Sequence, residues 1–213
     1  MAPIKSSLVR TVGKLFGISK DTDLSLRGHV QEIRRLPFSA SGGSAELTPG
    51  DGYKYHFFTT DADFTCTQPV NVDYIVIAGG GAGCGQPSGN NYGGGGAGAG
   101  GVRTGTLTVS AGDNPVVVGA TKAAPPDSYD GAVGNPSVAF GITSQGGGSG
   151  GGYDQAFAQY NGGSGGGAPH YNASNKGAGD KVAGTDTPAP DQGNNGGAGG
   201  NNASGGGGGA GGV

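Results

Sequence analysis

The sequence predicts a mainly β protein that opens with a short helix, continues as a small antiparallel β unit, and ends in a glycine-rich region of stacked polyglycine-type helices. Three observations predict it. Strand-like alternation is confined to the middle of the chain. Glycine recurs in tracts, 52 of 213 residues alongside 12 prolines. Beyond Ile142, Phe157, Val182 and Val213 are all that remain of the Leu, Ile, Val and Phe group, so no conventional apolar core can form there. Such a composition usually marks low complexity. The formal net charge is only -3, however, and repulsion does not hold the chain open.

The helix is predicted after Ser6 or Ser7, either of which can cap it, and Gly17 can end it. Leu8, Val12 and Leu15 share one face, with Phe16 beside them, as a docking helix requires. The surrounding stretch is basic: Lys5, Arg10, Lys14, Lys20, Arg27, Arg34 and Arg35 outnumber Asp21, Asp23 and Glu32. Basic residues spread among acids and aliphatics fit protein docking better than nucleic acid or a membrane surface. Pro37 and the run SASGGSA read as a linker.

The β unit follows. Tyr53, Tyr55 and Phe57 alternate with Lys54 and His56 as in a half-buried strand, and Phe64 and Cys66 mark a second. The run VNVDYIVIA places Val70, Val72, Tyr74 and Val76 on one face and Ile75 and Ile77 on the other, which predicts cover on both sides. Further strands are read at TGTLTVSAG, PVVVGA and SVAFGIT, the last with Val138, Phe140 and Ile142 alternating.

Glycine tracts lie near Gly79, from Gly93 to Gly101, from Gly146 to Gly152, from Gly162 to Gly167, and from Gly193 onward. One isolated tract should stay flexible, because glycine loses the most backbone entropy on ordering and buries almost no side chain. Several tracts can order one another. An extended threefold helix makes no internal hydrogen bonds, so its N–H and C=O groups point outward to neighbours that only small residues let approach. A collagen triple helix is disfavoured, since no strict G-X-Y repeat exists.

Enzymatic readings find little support. YIVIAGGGAGCG imitates a dinucleotide-binding turn, but QPSGNNYGGGG cannot supply the helix that should aim at a pyrophosphate. His29, His56 and His170 are scattered, Asp61 with Asp63 and Asp127 with Asp130 fit no calcium loop, and no nucleophile elbow, phosphate loop or zinc-protease motif occurs. The expectation is no catalytic residue, no metal, no cofactor and no membrane insertion. Cys66 and Cys84 read as two buried thiols, with a disulfide as the alternative. Between the tracts, segments rich in Tyr, Asn, Gln and Ser have the composition of binding loops. Tyr92, Tyr153, Phe157, Tyr160, His170 and Tyr171 are the candidate contacts, with structural capping as the other role open to each aromatic.

Three blocks in order, FTTDADFTCTQPVNVDYIVIAGGGAG, GGGGAGAGGVRTGTLTVSAG and NPSVAFGITSQGGGSGGG, resemble the glycine-rich domain of bacteriophage tail fibres and other virion proteins. The later alternation of tracts and polar loops is similar to tail-tip adhesins, and MAPIKSSLVRTVGKLFGISKDTDLSLRG looks like a virion-attachment region, as in a marine cyanophage. The resemblance implies residues 1–40 docking on other virion proteins, a β domain with a glycine insert at 41–145, and a display region at 146–213. It implies a homo-oligomer, a trimer being one option, in the virion, binding a host-surface receptor. The alternative it leaves is a capsid or tail decoration protein.

Overall fold

The computed structural model describes residues 37–84, 93–123, 131–152, 160–170, 192–200 and 203–210. The chain divides into two compact units, Met1–Phe38 and Ser39–Val213. The expected docking helix, with Leu8, Val12, Leu15 and Phe16, lies outside the described residues. Among the described residues there is no α-helix. The second unit takes in both sides of the boundary expected at residue 145.

The described strands are β1 (Ala40–Ser41), β2 (Ala45–Leu47), β3 (Tyr55–Phe57), β4 (Ala62–Cys66), β5 (Val70–Ile77), β6 (Val102–Val109), β7 (Gly112–Val117), β8 (Ser137–Ala139) and β9 (Ile142–Ser144). All pairings are antiparallel. One sheet runs β1-β4-β7-β8-β9, and β2-β3 and β5-β6 each form a two-stranded sheet. Alternation on β4, β5, β6 and β7 turns Phe64, Cys66, Val76, Val109 and Val116 inward, where Ala139 joins them and Val70, Val72, Tyr74 and Leu107 pack around. Burying each of the larger of these side chains is worth about 1.5–3 kcal/mol, so this small cluster anchors the β region.

Four expectations are corrected. Ile75 and Ile77 are 71% and 59% exposed, so β5 is covered on one face only, its outer side lying open beside Thr104 and Val102 of β6. On β3 the faces are reversed. His56 turns inward against Phe64, ring centroids 5.1 Å apart, while Tyr53, Tyr55 and Phe57 are exposed. SVAFGIT is a hairpin rather than one strand: Ala139 pairs with Ile142 across Phe140 (φ 54°) and Gly141 (φ 78°), both left-handed as a two-residue hairpin turn of this twist requires. The Phe140 ring packs edge-on to Phe64 at 5.7 Å, which offsets the cost of left-handed backbone at a bulky residue. The run read as a linker contains β1 and the start of β2. Gly42 (φ 119°) and Gly43 (φ 96°) turn the chain between them, and backbone pairing, not side-chain pattern, holds them.

The glycine tracts form a second body of order, bonded mainly through backbone. Gly95, Gly98 and Gly101 donate to Gly151, Gly148 and Gln145, whereas Gly96 and Ala99 donate to Gly205 and Gly208. Ser164, Gly167 and His170 donate to Ala99, Gly96 and Gly93, while Gly165 and Ala168 donate to Asn194 and Gly197. Every third residue thus addresses the same neighbour. The pairings arrange segments 131–135, 145–152, 160–170 and 192–200 in one row, and 78–84, 93–101 and 203–210 in a second row nested against it. A Cβ at Gly98, Gly147, Gly166 or Gly207 would collide with a backbone carbonyl of a neighbouring segment, which is why these positions are glycine.

Candidate functional site

The direction of each tract follows from its partners. Segment 78–84 leaves β5, and Ala78, Gly81 and Cys84 donate in turn to Gly101, Gly98 and Gly95 of the antiparallel segment that enters β6. Ala82 bonds Ala132, Gly95 bonds Gly151, His170 bonds Gly93, and Gly200 and Ala203 bond each other. Cys84, Gly93, Gly131, Gly152, His170, Gly200 and Ala203 therefore cluster at one end of the double row. At the opposite end Gly101 bonds Gln145, and Val102 bonds Gln192, where the rows meet the strands. The polar segments begin or end at the far end.

Of the candidate contacts, Tyr92, Tyr153, Phe157 and Tyr171 lie outside the described residues. Three of them adjoin the clustered ends in sequence, Tyr92 before Gly93, Tyr153 after Gly152 and Tyr171 after His170. His170 is half-buried at that end, its backbone N–H on Gly93. Tyr160 is fully buried and donates its hydroxyl to the Gly152 carbonyl at 3.2 Å, which favours the capping role that the sequence leaves open to it. Cys66 and Cys84 are not joined in a disulfide; Cys66 is buried and donates to the Ser110 carbonyl, while Cys84 is half-buried. Among the described residues, no group of three His, Cys, Asp or Glu side chains could hold a metal ion.

Gln192 was not singled out from the sequence. Its buried side chain accepts a hydrogen bond from Gln145 N–H at 2.7 Å and donates to the Thr143 carbonyl, joining rows to strands. No local pattern marks one glutamine in a polar stretch as a core residue.

A second cluster sits on the β2-β3 hairpin. Asp51, between Gly50 and Gly52, accepts hydrogen bonds from Tyr53 N–H at 3.0 Å and from the Tyr55 hydroxyl at 2.8 Å. The bond from Tyr53, then that from Tyr55, holds the Asp51 carboxyl below its usual range, and the same Asp51 bond raises Tyr55. Lys54 pairs with Glu46 at 2.7 Å and donates to the Ala40 carbonyl, and that side-chain bond is the main cause that lowers Glu46. The turn TPGDGY signals the bend, but period-two alternation alone could not say which face of Tyr53, Lys54, Tyr55 and His56 points out.

The profile of the glycine-rich domain family matches residues 59–213. The chain belongs to the glycine-rich domain family. The glycine-rich domain so defined runs from just before β4 to the last tract and leaves the β2-β3 hairpin outside its bounds. No curated protein and no solved structure matches the chain.

Proposed function

We propose that this glycine-rich domain protein is a non-enzymatic virion component of a bacteriophage, a tail fibre or adhesin, in which tracts of threefold polyglycine-type helix present loops to a host cell surface. The observation that carries the reading is the gathering of the tract ends at one end of the double row, away from the strands. Bonding that repeats every third residue supports the threefold helix, which has three residues per turn and no internal bonds. The order of the three glycine and strand blocks supports the phage assignment.

Binding is the mechanism. A loop fixed at both ends by bonded backbone has less freedom to lose on meeting a receptor, so more of the contact energy appears as affinity. Tyr92, Tyr153, Phe157, His170 and Tyr171 supply the contacts, residues 1–40 attach to other virion proteins, and the protein assembles as a homo-oligomer.

Labelled antibody against residues 153–176 tests the reading on intact particles. Decoration of the tail tip with loss of adsorption is expected. Decoration of the capsid surface with adsorption intact would replace it by the decoration-protein reading. Deleting residues 1–36 should abolish incorporation; particles that keep the shortened chain would place attachment elsewhere.

A further inference from the structure

The β2-β3 hairpin is turned the wrong way for a sheet that meets only water. His56 faces the chain's own strands, its Nδ1 2.9 Å from the Gly42 carbonyl and its ring against Phe64, while Glu46 opposite it stays exposed beside Lys54. The opposed pairs Ala45–Phe57 and Leu47–Tyr55 face outward. Phe57 is 48% exposed, Leu47 54% and Tyr53 59%, with the Tyr53 and Tyr55 ring centroids 6.3 Å apart. Exposed rings on one continuous face, set over the inward-turned His56, form an apolar patch of the kind that is often functional.

The size of the face limits that partner. Three half-exposed rings and one leucine offer on the order of 400 Å², well short of the ~800 Å² per partner that a stable protein interface takes. A second copy of the chain would need contacts that this face does not provide. One or two sugar rings fit it. A pyranose lays its C–H face on an aromatic ring and projects its hydroxyls sideways, where they need acceptors and donors. Asp51 stands at the edge of the rings with each carboxylate oxygen taking one internal bond, from Tyr53 N–H and from the Tyr55 hydroxyl, so further lone pairs remain toward solvent. The Tyr55 oxygen, its proton committed to Asp51, accepts from a sugar hydroxyl.

We infer that the outer face of the hairpin, Tyr53, Tyr55 and Phe57 with Leu47 and the Asp51 carboxylate, is a carbohydrate-binding platform. It goes beyond the display reading and rests on none of the residues at the tract ends, so either can fail without the other.

The test is affinity electrophoresis of the full chain through gels containing dextran, galactomannan, xyloglucan or a rhamnose-rich bacterial polysaccharide. Retardation by at least one is expected. Tyr53→Ala and Phe57→Ala should each weaken it about tenfold, the value of one aromatic contact. Tyr55→Phe, which keeps the ring and releases Asp51, should weaken it less than Tyr55→Ala. These side chains are exposed, so melting temperature should stay put. Migration unaffected by all four polysaccharides, or retardation unchanged in Tyr53→Ala and Phe57→Ala, overturns the inference. A change in sedimentation coefficient in those variants would overturn it too, making the face a self-association surface.

Discussion

Gln192 accepts a 2.7 Å hydrogen bond from the backbone N–H of Gln145, so a side chain from the penultimate tract fastens the tract that follows β9. With its amide on the Thr143 carbonyl and its own carbonyl taking Val102 N–H, one residue closes the junction between strands and rows. Gln192→Ala leaves Gln145 N–H buried without its acceptor and should cost about 2–4 kcal/mol, counting the lost bonds and the small void. Urea denaturation measures it. A loss under about 0.5 kcal/mol would show that the junction does not depend on this side chain.

Neighbouring glycines should respond in opposite ways. At Gly207 a Cβ would strike the Ala97 carbonyl, while at Gly206 nothing lies within 4 Å. Gly207→Ala should therefore destabilise by about 1–3 kcal/mol, and Gly206→Ala should stay within about 0.5 kcal/mol of the parent. Thermal melts and protease resistance of the pair decide. Equal effects would sink the account of backbone packing.

The hairpin should loosen at both ends of the pH scale. Asp51 and Glu46 have lowered carboxyl pKa values, so their contribution is present above the ordinary values of 3.8 and 4.5 and is lost as pH falls through the folded values below them. Tyr55 is raised, so its contribution is full below its ordinary 10.0 and is lost as pH rises through the higher folded value. All three groups are exposed, which keeps each effect small. Amide protection across Tyr55–Phe57, measured relative to the intrinsic exchange rate at each pH, should fall in acid and in strong base, and Asp51→Asn should remove the Tyr55 part of the response. Protection that is flat with pH would contradict the assignment.

The two thiols should react at different rates. Cys66 lies in the β core, 2% exposed, and Cys84 is half-buried beside the tract ends. A thiol reagent should modify Cys84 in the folded protein and Cys66 only on unfolding. Mass spectrometry after limited labelling distinguishes them, and equal rates would show that the β core opens readily.

Much of the β unit was legible because alternation is a period-two signal with a core to answer to: Phe64, Cys66, Val76, Val109 and Val116 all turn inward. Where the core is thin the signal misleads. Ile75 and Ile77 lie on the uncovered face of β5 although the run reads as apolar on both sides, and Phe140 looks like a strand residue because its side chain is used while its backbone turns. The glycine tracts were legible as a scaffold but not in their order, since a backbone hydrogen bond leaves no trace in residue identity. Tyr160 shows the same limit for the site. An aromatic at the edge of a tract serves equally as a lid or as a contact, and its hydroxyl on the Gly152 carbonyl makes it a lid.

The nesting of the two rows constrains how the chain reaches its native state. Segment 203–210 accepts from 93–101 and 192–200 and donates to 160–170, so it completes three pairings at once, with partners drawn from distant parts of the sequence. Each net backbone bond is worth only about 1 kcal/mol, while ordering one residue costs about 1–2 kcal/mol. A partial row therefore gains little, and the layer closes cooperatively and late. Until segment 203–210 is in place, the backbone groups of Gly96, Ala99, Gly165 and Ala168 that pair with it lack those partners, so the order of the earlier tracts depends on a segment far along the chain.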